Sequence, residues 1–355
     1  LKTGQNLKAI SINNELIENF RVNKILAFRG LKQQAIDTAE AGDIVSLAGM
    51  SKATVADTIA DQSVEDPIPA QPIDPPTITV TFGINDSPLA GRDGKKVQSR
   101  VIRDRLLKEC ESNVAIKMVD TPGGEAFDVS GRGELQMGVL IENMRREGFE
   151  LSISRPRVIY KDVDGVKNEP IEEVTIDVDE EFSGAVIEKL SSRKGEMVDL
   201  KSSGSGKTRI IALVPSRGLI GYHSEFMTDT RGTGILNRVF HSWSPHKGSI
   251  AGRRQGVLIS MENGSSVAYA IFNLEERGKF FIGSGEEVYE GMIIGEHNRD
   301  NDLEVNPLKG KKLTNIRASG NDEAVRLTPP AKLSLEQAIA YICLLYTSDA
   351  ADECS

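Results

Sequence analysis

The hydrophobic pattern of the chain changes period several times. Over residues 1–72 the apolar positions come in short segments: Ile10 with Ile12, Leu16 with Ile17, and Val22 to Phe28, parted by polar turns. Ala41-Gly42-Asp43 reads as a turn, and the IVSLAG that follows it, Ile44 to Gly49, as a buried strand. Short strands and turns at this spacing predict a small β-barrel. Between Asp66 and Pro76 lie Pro67, Pro69, Pro72, Pro75 and Pro76. Proline fixes φ and has no N–H for a ladder, so this run predicts a stiff connector and a domain boundary.

Residues 73–156 read as a second unit. Thr77 to Phe82 alternates as a strand. Val97, Val101, Ile102, Leu106 and Leu107 fall on one helical face. Val114 to Val119 and Ala126 to Val129 read as strands joined across Pro122-Gly123-Gly124. Leu135, Val139, Leu140 and Met144 mark a second helix, and Phe149 to Ile153 a last strand. This is the βαββαβ, or ferredoxin-like, order. Residues 157–247 repeat the order without repeating the sequence. Val174, Ile176 and Val178 alternate as a strand, and Phe182 to Leu190 is a short helix closed by Gly195. Met197 to Leu200 and Thr208 to Val214 are hairpin strands, Leu219 to Thr230 a helix, and Ile235 to Trp243 the last strand.

From residue 248 to 342 the texture changes again. GVLISMENG, SSVAYAIFNLE, KFFIGSG and EVYEGMIIGEH read as strands with glycine turns, predicting a further small all-β unit. The segment Asn306 to Pro330 has little periodicity and is expected to form a long basic loop. Leu333 to Ile342 begins a helix, with Ser334 as its cap and Glu336-Gln337 behind it. The helical pattern stops at Ile342, and residues 343–355 read as a non-native tail, with a natural disordered tail as the alternative. The fold class is therefore multidomain, α+β with all-β parts.

One short motif bears on catalysis. Gly204 to Thr208 spells GSGKT, the end of a phosphate-binding loop. Such a loop needs glycine at both ends of its span and a helix N-terminus behind it. Lys201 stands where the first glycine belongs, and the TRIIALVP that follows reads as a strand. A hairpin turn is favoured, and a nucleotide hydrolase using Gly204 to Thr208 is the alternative reading. Adjacent acidic pairs such as Glu180-Glu181 point apart and offer no acid–base couple. No catalytic residue, cofactor-binding residue or metal ligand is assigned to this chain.

Composition narrows the classes. Charged residues are 27% and aromatics 5%, which predicts a soluble chain with aliphatic cores. No apolar run approaches the ~20 residues of a membrane span. The three cysteines form no disulfide or metal spacing and fit a reducing cytoplasm. The chain opens on Leu1 with no signal peptide, as expected for a stretch from within a larger protein.

A net charge of −9 excludes a wholly basic nucleic-acid binder but leaves room for local patches. Lys309, Lys311, Lys312, Asn315, Arg317 and Arg326 punctuate the late loop. Cations there suit phosphate-lined grooves, and Asn315 could reach a base or ribose. Arg92, Lys95, Lys96, Arg100 and Arg103 form a secondary cluster on a loop and a helix, where a solvated charged face is an equal reading.

The barrel with AGDIVSLAG and DTIAD, then SGRGELQMGVLIENMRREGFEL, then VPSRGLIGYHSEFMTDTRGTGIL, resembles the later domains of translational GTPases such as elongation factor G. GVLISMENGSSVAYAIFNLEERGKFFIG, EEVYEGMIIGEHNRDNDLEVNPLKGKKLTNIRASG and DEAVRLTPP resemble the C-terminal domain of the TypA/BipA family. The resemblance implies a partial translation-factor barrel (domain II-like), two ferredoxin-like domains (III-like and V-like) and a family-specific C-terminal domain. It further implies ribosome binding, assembly of the large subunit, and adaptation to stress or cold. The late loop would contact rRNA and the tRNA acceptor arm, and the factor would be a monomer off the ribosome. GTP and Mg²⁺ would belong to a GTPase domain that this chain lacks, so the chain alone is expected to be non-catalytic. A non-binding structural fragment is the remaining alternative.

Overall fold

A computed structural model describes residues 1–30, 32–53, 55–70, 74–202, 206–250, 255–310 and 326–344. The chain divides into two compact units, Leu1–Pro75 with Lys108–Ile116, and Pro76–Leu107 with Lys117–Ser355.

In the first unit the strands are β1 (Asn6–Ile10), β2 (Leu16–Arg21), β3 (Lys24–Arg29), β4 (Lys32–Ile36), β5 (Val45–Ala48) and β6 (Thr58–Ala60). They form two three-stranded sheets, β2-β1-β6 and β4-β3-β5, and no closed barrel among the described residues. Leu7, Ala9, Phe20, Val22 and Ile25 are buried together in one core. The Glu18 carboxylate accepts the backbone N–H groups of Ser51, Lys52 and Ala53. These bonds, those of Lys52 and Ala53 foremost, draw its pKa down to about 2.

The second unit opens with β7 (Ile78–Ile84), the part of α1 (Ser99–Ser112) up to Leu107, β8 (Lys117–Asp120), β9 (Phe127–Gly131), α2 (Glu134–Arg146) and β10 (Leu151–Ile153). The strand order β10-β7-β9-β8 is antiparallel throughout. Ile78, Val80 and Phe82 alternate to one side of β7 and are buried, as are Ile102 and Leu106 of α1 and Met137, Leu140 and Met144 of α2. Each such side chain contributes about 1.5–3 kcal/mol by leaving water. Two short strands follow, β11 (Arg157–Val158) and β12 (Lys161–Val163).

Next come β13 (Val166–Asp179), α3 (Glu180–Ser192), β14 (Glu196–Ser202), β15 (Lys207–Pro215), α4 (Ser216–Leu219), α5 (Tyr222–Asp229) and β16 (Ile235–Pro245). β13 is longer than its alternation suggested and lies between β15 and β16, with β14 beyond β15. Val174, Ile176, Val186, Ile210, Tyr222 and Phe226 are wholly buried in its core. The single helix expected over Leu219 to Thr230 is instead two. Gly221 sits at φ +72°, a left-handed conformation that breaks the helical ladder.

The last region holds β17 (Val257–Ser260), β18 (Gly264–Ser265), α6 (Ala268–Leu274), β19 (Gly278–Phe280), β20 (Glu287–Val288), β21 (Ile293–His297), β22 (Leu303–Val305) and α7 (Leu335–Leu344). The sheet order is β19-β21-β17-β22, with β22 parallel to β17. The all-β expectation is corrected here: SSVAYAIFNLE contains a helix. Ala270 and Ile271 are buried, and Leu274 packs on the same core, while Tyr269, Phe272 and Asn273 face out. That is helical spacing, in a segment whose aromatic and branched residues suggest a strand.

α7 is closed by a reciprocal capping box. Ser334 Oγ accepts from the Gln337 N–H at 3.2 Å, and Gln337 Oε1 from the Ser334 N–H at 2.9 Å. The helix continues through Cys343 and Leu344, past the stop expected at Ile342. Burial pushes the Cys343 thiol up to about 12. α7 packs on α2, with Ile339 buried. No helix among the described residues is long and apolar enough to cross a membrane.

Candidate nucleic-acid interface

The two basic clusters are built differently. The first lies on the segment before α1 and on α1 itself. Glu150, just before β10, organises that segment from below. Its carboxylate accepts the N–H groups of Gly91 at 2.8 Å, Asp93 at 3.1 Å and Gly94 at 2.9 Å, and Asn85 Nδ2 at 2.6 Å. Gly91 and then Asn85 contribute most to holding its pKa down to about 2.

Most cations of this cluster already have partners. Arg103 binds Asp120 with two hydrogen bonds, at 2.8 and 2.9 Å, and thereby holds the Asp120 carboxyl below its usual range. Arg105 binds Glu147, and Arg92 pairs with Glu287. Lys96 lies over the Phe149 ring, with Nζ 4.5 Å from its centroid, a cation–π contact. Lys95 and Arg100 are exposed and make no side-chain hydrogen bond or ion pair with a described residue.

The late loop leaves from and returns to one core. Leu308, at its outgoing root, and Leu327, at its returning root, both pack on the core of Leu258, Ile271, Phe280 and Ile294. Asn306 Oδ1 accepts the Leu308 N–H at 2.9 Å, and Pro307 O accepts that of Val267 at 3.0 Å. On the return, Glu275 Oε1 accepts the Thr328 N–H at 2.7 Å, and Phe280 O that of Ala331 at 2.8 Å. Lys309 and Arg326 stand exposed at the two roots. Lys311, Lys312, Asn315 and Arg317 lie outside the described residues.

Beside the outgoing root is a surface cavity of about 520 Å³, lined in part by Tyr269, Asn273, Arg277, Glu304 and Lys309. The α6 side of this cavity is hidden in the sequence, where that segment reads as a strand. Four-residue spacing of Tyr269, Asn273 and Arg277 was the signal available.

The GSGKT segment does not form a phosphate loop. Lys207 begins β15, and Thr208 is a buried strand residue paired with Ser202 across the β14–β15 ladder. Gly206 takes φ +77°, as a tight turn requires, while residues 203–205 lie outside the described residues. No helix N-terminus follows the lysine, so the dipole and N–H groups that cradle a phosphate are not formed there. Among the described residues no group of three His, Cys, Asp or Glu side chains could hold a metal.

Two family models match the chain. Residues 255–345 match the TypA/BipA C-terminal domain, and residues 166–254 the elongation factor G C-terminus. Among curated proteins the chain is 48% identical to the large ribosomal subunit assembly factor BipA of Bacillus subtilis, over 96% of this chain and 56% of that protein. It is 51% identical to the protein of that name from Escherichia coli strain K12, over 91% of this chain and 54% of the relative. With the Haemophilus influenzae protein of that name it shares 52% identity over 91% and 52%. The chain thus spans about half the length of the relatives it matches.

Proposed function

The chain belongs to the TypA/BipA family of translational GTPases, and on that premise we propose that it is the RNA-contacting part of a factor in large ribosomal subunit assembly. In this reading residues 1–72 correspond to a translation-factor domain II, 73–156 and 157–247 to domains III and V, and 248–342 to the family's own domain. The late loop carries the contacts, through Lys309, Lys311, Lys312, Asn315, Arg317 and Arg326, to rRNA and a tRNA acceptor arm. Lys95 and Arg100 are secondary contacts. Hydrolysis of GTP with Mg²⁺ is assigned to the part of the relatives that this chain does not span, and the chain itself acts as a monomer. Service under stress or cold follows the family resemblance.

The observation that supports this reading best is the double anchoring of the basic loop. Both roots are packed into one core, and the cations at both roots are free of carboxylate partners among the described residues. Cations not neutralised by the protein release counterions when they meet phosphates. The test is co-sedimentation of the chain with large ribosomal subunits over a salt series, alongside a Lys311→Ala/Lys312→Ala/Arg317→Ala variant. Binding that falls with salt, and is weaker with a flatter salt dependence in the variant, is the expected result. Binding unchanged in the variant would sink the loop's assigned role, and no binding by either protein would favour a purely structural fragment.

A further inference from the structure

The cavity beside α6 has an unusual set of walls. Tyr269, Asn273 and Arg277 are spaced four apart along α6 and the turn that continues it, so they form one stripe. Met261, Glu304 of β22 and Lys309 also line the cavity. No ion pair joins its charged side chains. Among the described residues neither Arg277 nor Lys309 makes an ion pair or side-chain hydrogen bond, and Glu304 accepts none. Asn273 Nδ2 donates to the Tyr269 carbonyl at 2.6 Å, which fixes the amide and leaves its Oδ1 to accept. The nearby acid Glu275 is already engaged by the Thr328 N–H. Tyr269 and Met261 are respectively 39% and 49% exposed, large for residues of their kind.

A ligand that satisfies this set needs a flat apolar face, an anion, and an edge rich in hydrogen-bond donors. Mononucleotides have the first two. Stacking on an aromatic ring and backbone contacts to Arg and Lys are how unpaired RNA is held. The edge decides the base. A carboxylate and an amide oxygen both accept, and guanine presents the N1–H and N2–H₂ donors side by side, whereas uracil offers one donor between two acceptors. We propose that this cavity seats one unpaired guanine nucleotide of single-stranded RNA, with the base on Tyr269 against Met261, its donor edge toward Glu304 and Asn273, and its phosphates toward Arg277 and Lys309. The inference rests on the RNA-contacting reading above and gives that reading a base preference.

The test uses the full chain and labelled RNA pentamers that differ only in the central base, with free 5′-GMP as a second probe. Fluorescence anisotropy should rank the guanine pentamer first. Tyr269→Ala should weaken it roughly tenfold, the loss typical of one base–aromatic stack. Tyr269→Phe keeps the ring and should retain binding, which separates lost stacking from lost folding. Glu304→Gln should keep the pentamers bound but erase the guanine preference. Several results would overturn the proposal: equal affinity for all four pentamers, indifference to Tyr269→Ala and Arg277→Ala, or a preference that survives Glu304→Gln. Free GMP binding as tightly as the pentamer would reassign the cavity to a soluble nucleotide and overturn the RNA source. The subunit sedimentation above is separate. If the pentamer results hold while sedimentation fails, the ribosomal reading falls and the cavity assignment stands. If sedimentation holds and the pentamers are not distinguished, the cavity assignment alone falls.

Discussion

Around α1, Arg103 is held by Asp120, Arg105 by Glu147 and Arg92 by Glu287. At the roots of the late loop, Lys309 and Arg326 have no such partner among the described residues. Both stretches look basic in the sequence. An arginine already bound by a carboxylate presents little net charge to a distant phosphate, and must give up its partner to bind one. The local count of cations is therefore a poor guide to a nucleic-acid surface, and the count left after internal pairing is a better one.

The sharpest way to break this contrast is the paired loop and helix variants. Lys311→Ala/Lys312→Ala/Arg317→Ala should flatten the slope of log affinity against log salt by about 2, near 0.7 per lost phosphate contact. Arg103→Ala/Arg105→Ala should leave that slope unchanged. Equal effects in the two variants would show that internal pairing does not matter. Next in size, Leu308→Ala should destabilise the C-terminal region by about 2 kcal/mol, the low end for a leucine truncation, since the side chain is only partly buried. Chemical denaturation followed at Trp243 and by far-ultraviolet circular dichroism would measure it, and subunit affinity should fall with it.

A smaller and more local effect is expected at Glu150. Glu150→Gln should speed hydrogen exchange at Gly91, Asp93 and Gly94 while leaving RNA affinity alone. The acid dependence has a definite sign. The folded pKa of Glu150 is lowered to about 2, so its stabilisation is complete above the ordinary carboxylate range near 4.3 and is lost as the pH falls toward 2. Protection of these three amides, taken relative to their intrinsic exchange rates, should therefore fall on acidification in the unaltered chain but not through this group in Glu150→Gln. Smallest of all, Arg100→Ala should weaken RNA binding by about threefold or less, the loss of one exposed phosphate contact. Any larger loss would move the secondary cluster into the main interface.

Much of the fold was legible because its elements follow single periods. β7 alternates cleanly, and α1 and α2 repeat buried positions every three or four residues, although Leu135 and Val139, read as part of the apolar face of α2, are exposed. Both βαββαβ orders could be read from these periods without a tertiary clue. α6 was not legible, since Val267, Tyr269, Ile271 and Phe272 have strand-like chemistry, and packing on Phe280 and Ile294 selects the helix. The break at Gly221 was hidden because glycine is tolerated within a helix until something requires φ > 0. The late loop stood out by its charge, but neither Glu150 nor the Tyr269 stripe did. A carboxylate that accepts four donors is indistinguishable in sequence from a solvated one, and a stripe exists only once the helix does.

The packing of α7 on α2 also sets an order of events. α7 leaves the site of synthesis about 200 residues after α2, a long-range contact of the kind that forms late. At roughly 5–20 residues per second, the surface of α2 that receives Ile339 waits on the order of 10–40 s for its cover. Through that interval the nascent chain carries an open apolar face beside Leu135 and Val139, which stay exposed even after α7 docks. Chains released before Ser334 keep that face open permanently, and they should be the ones that chaperones retain and that aggregate.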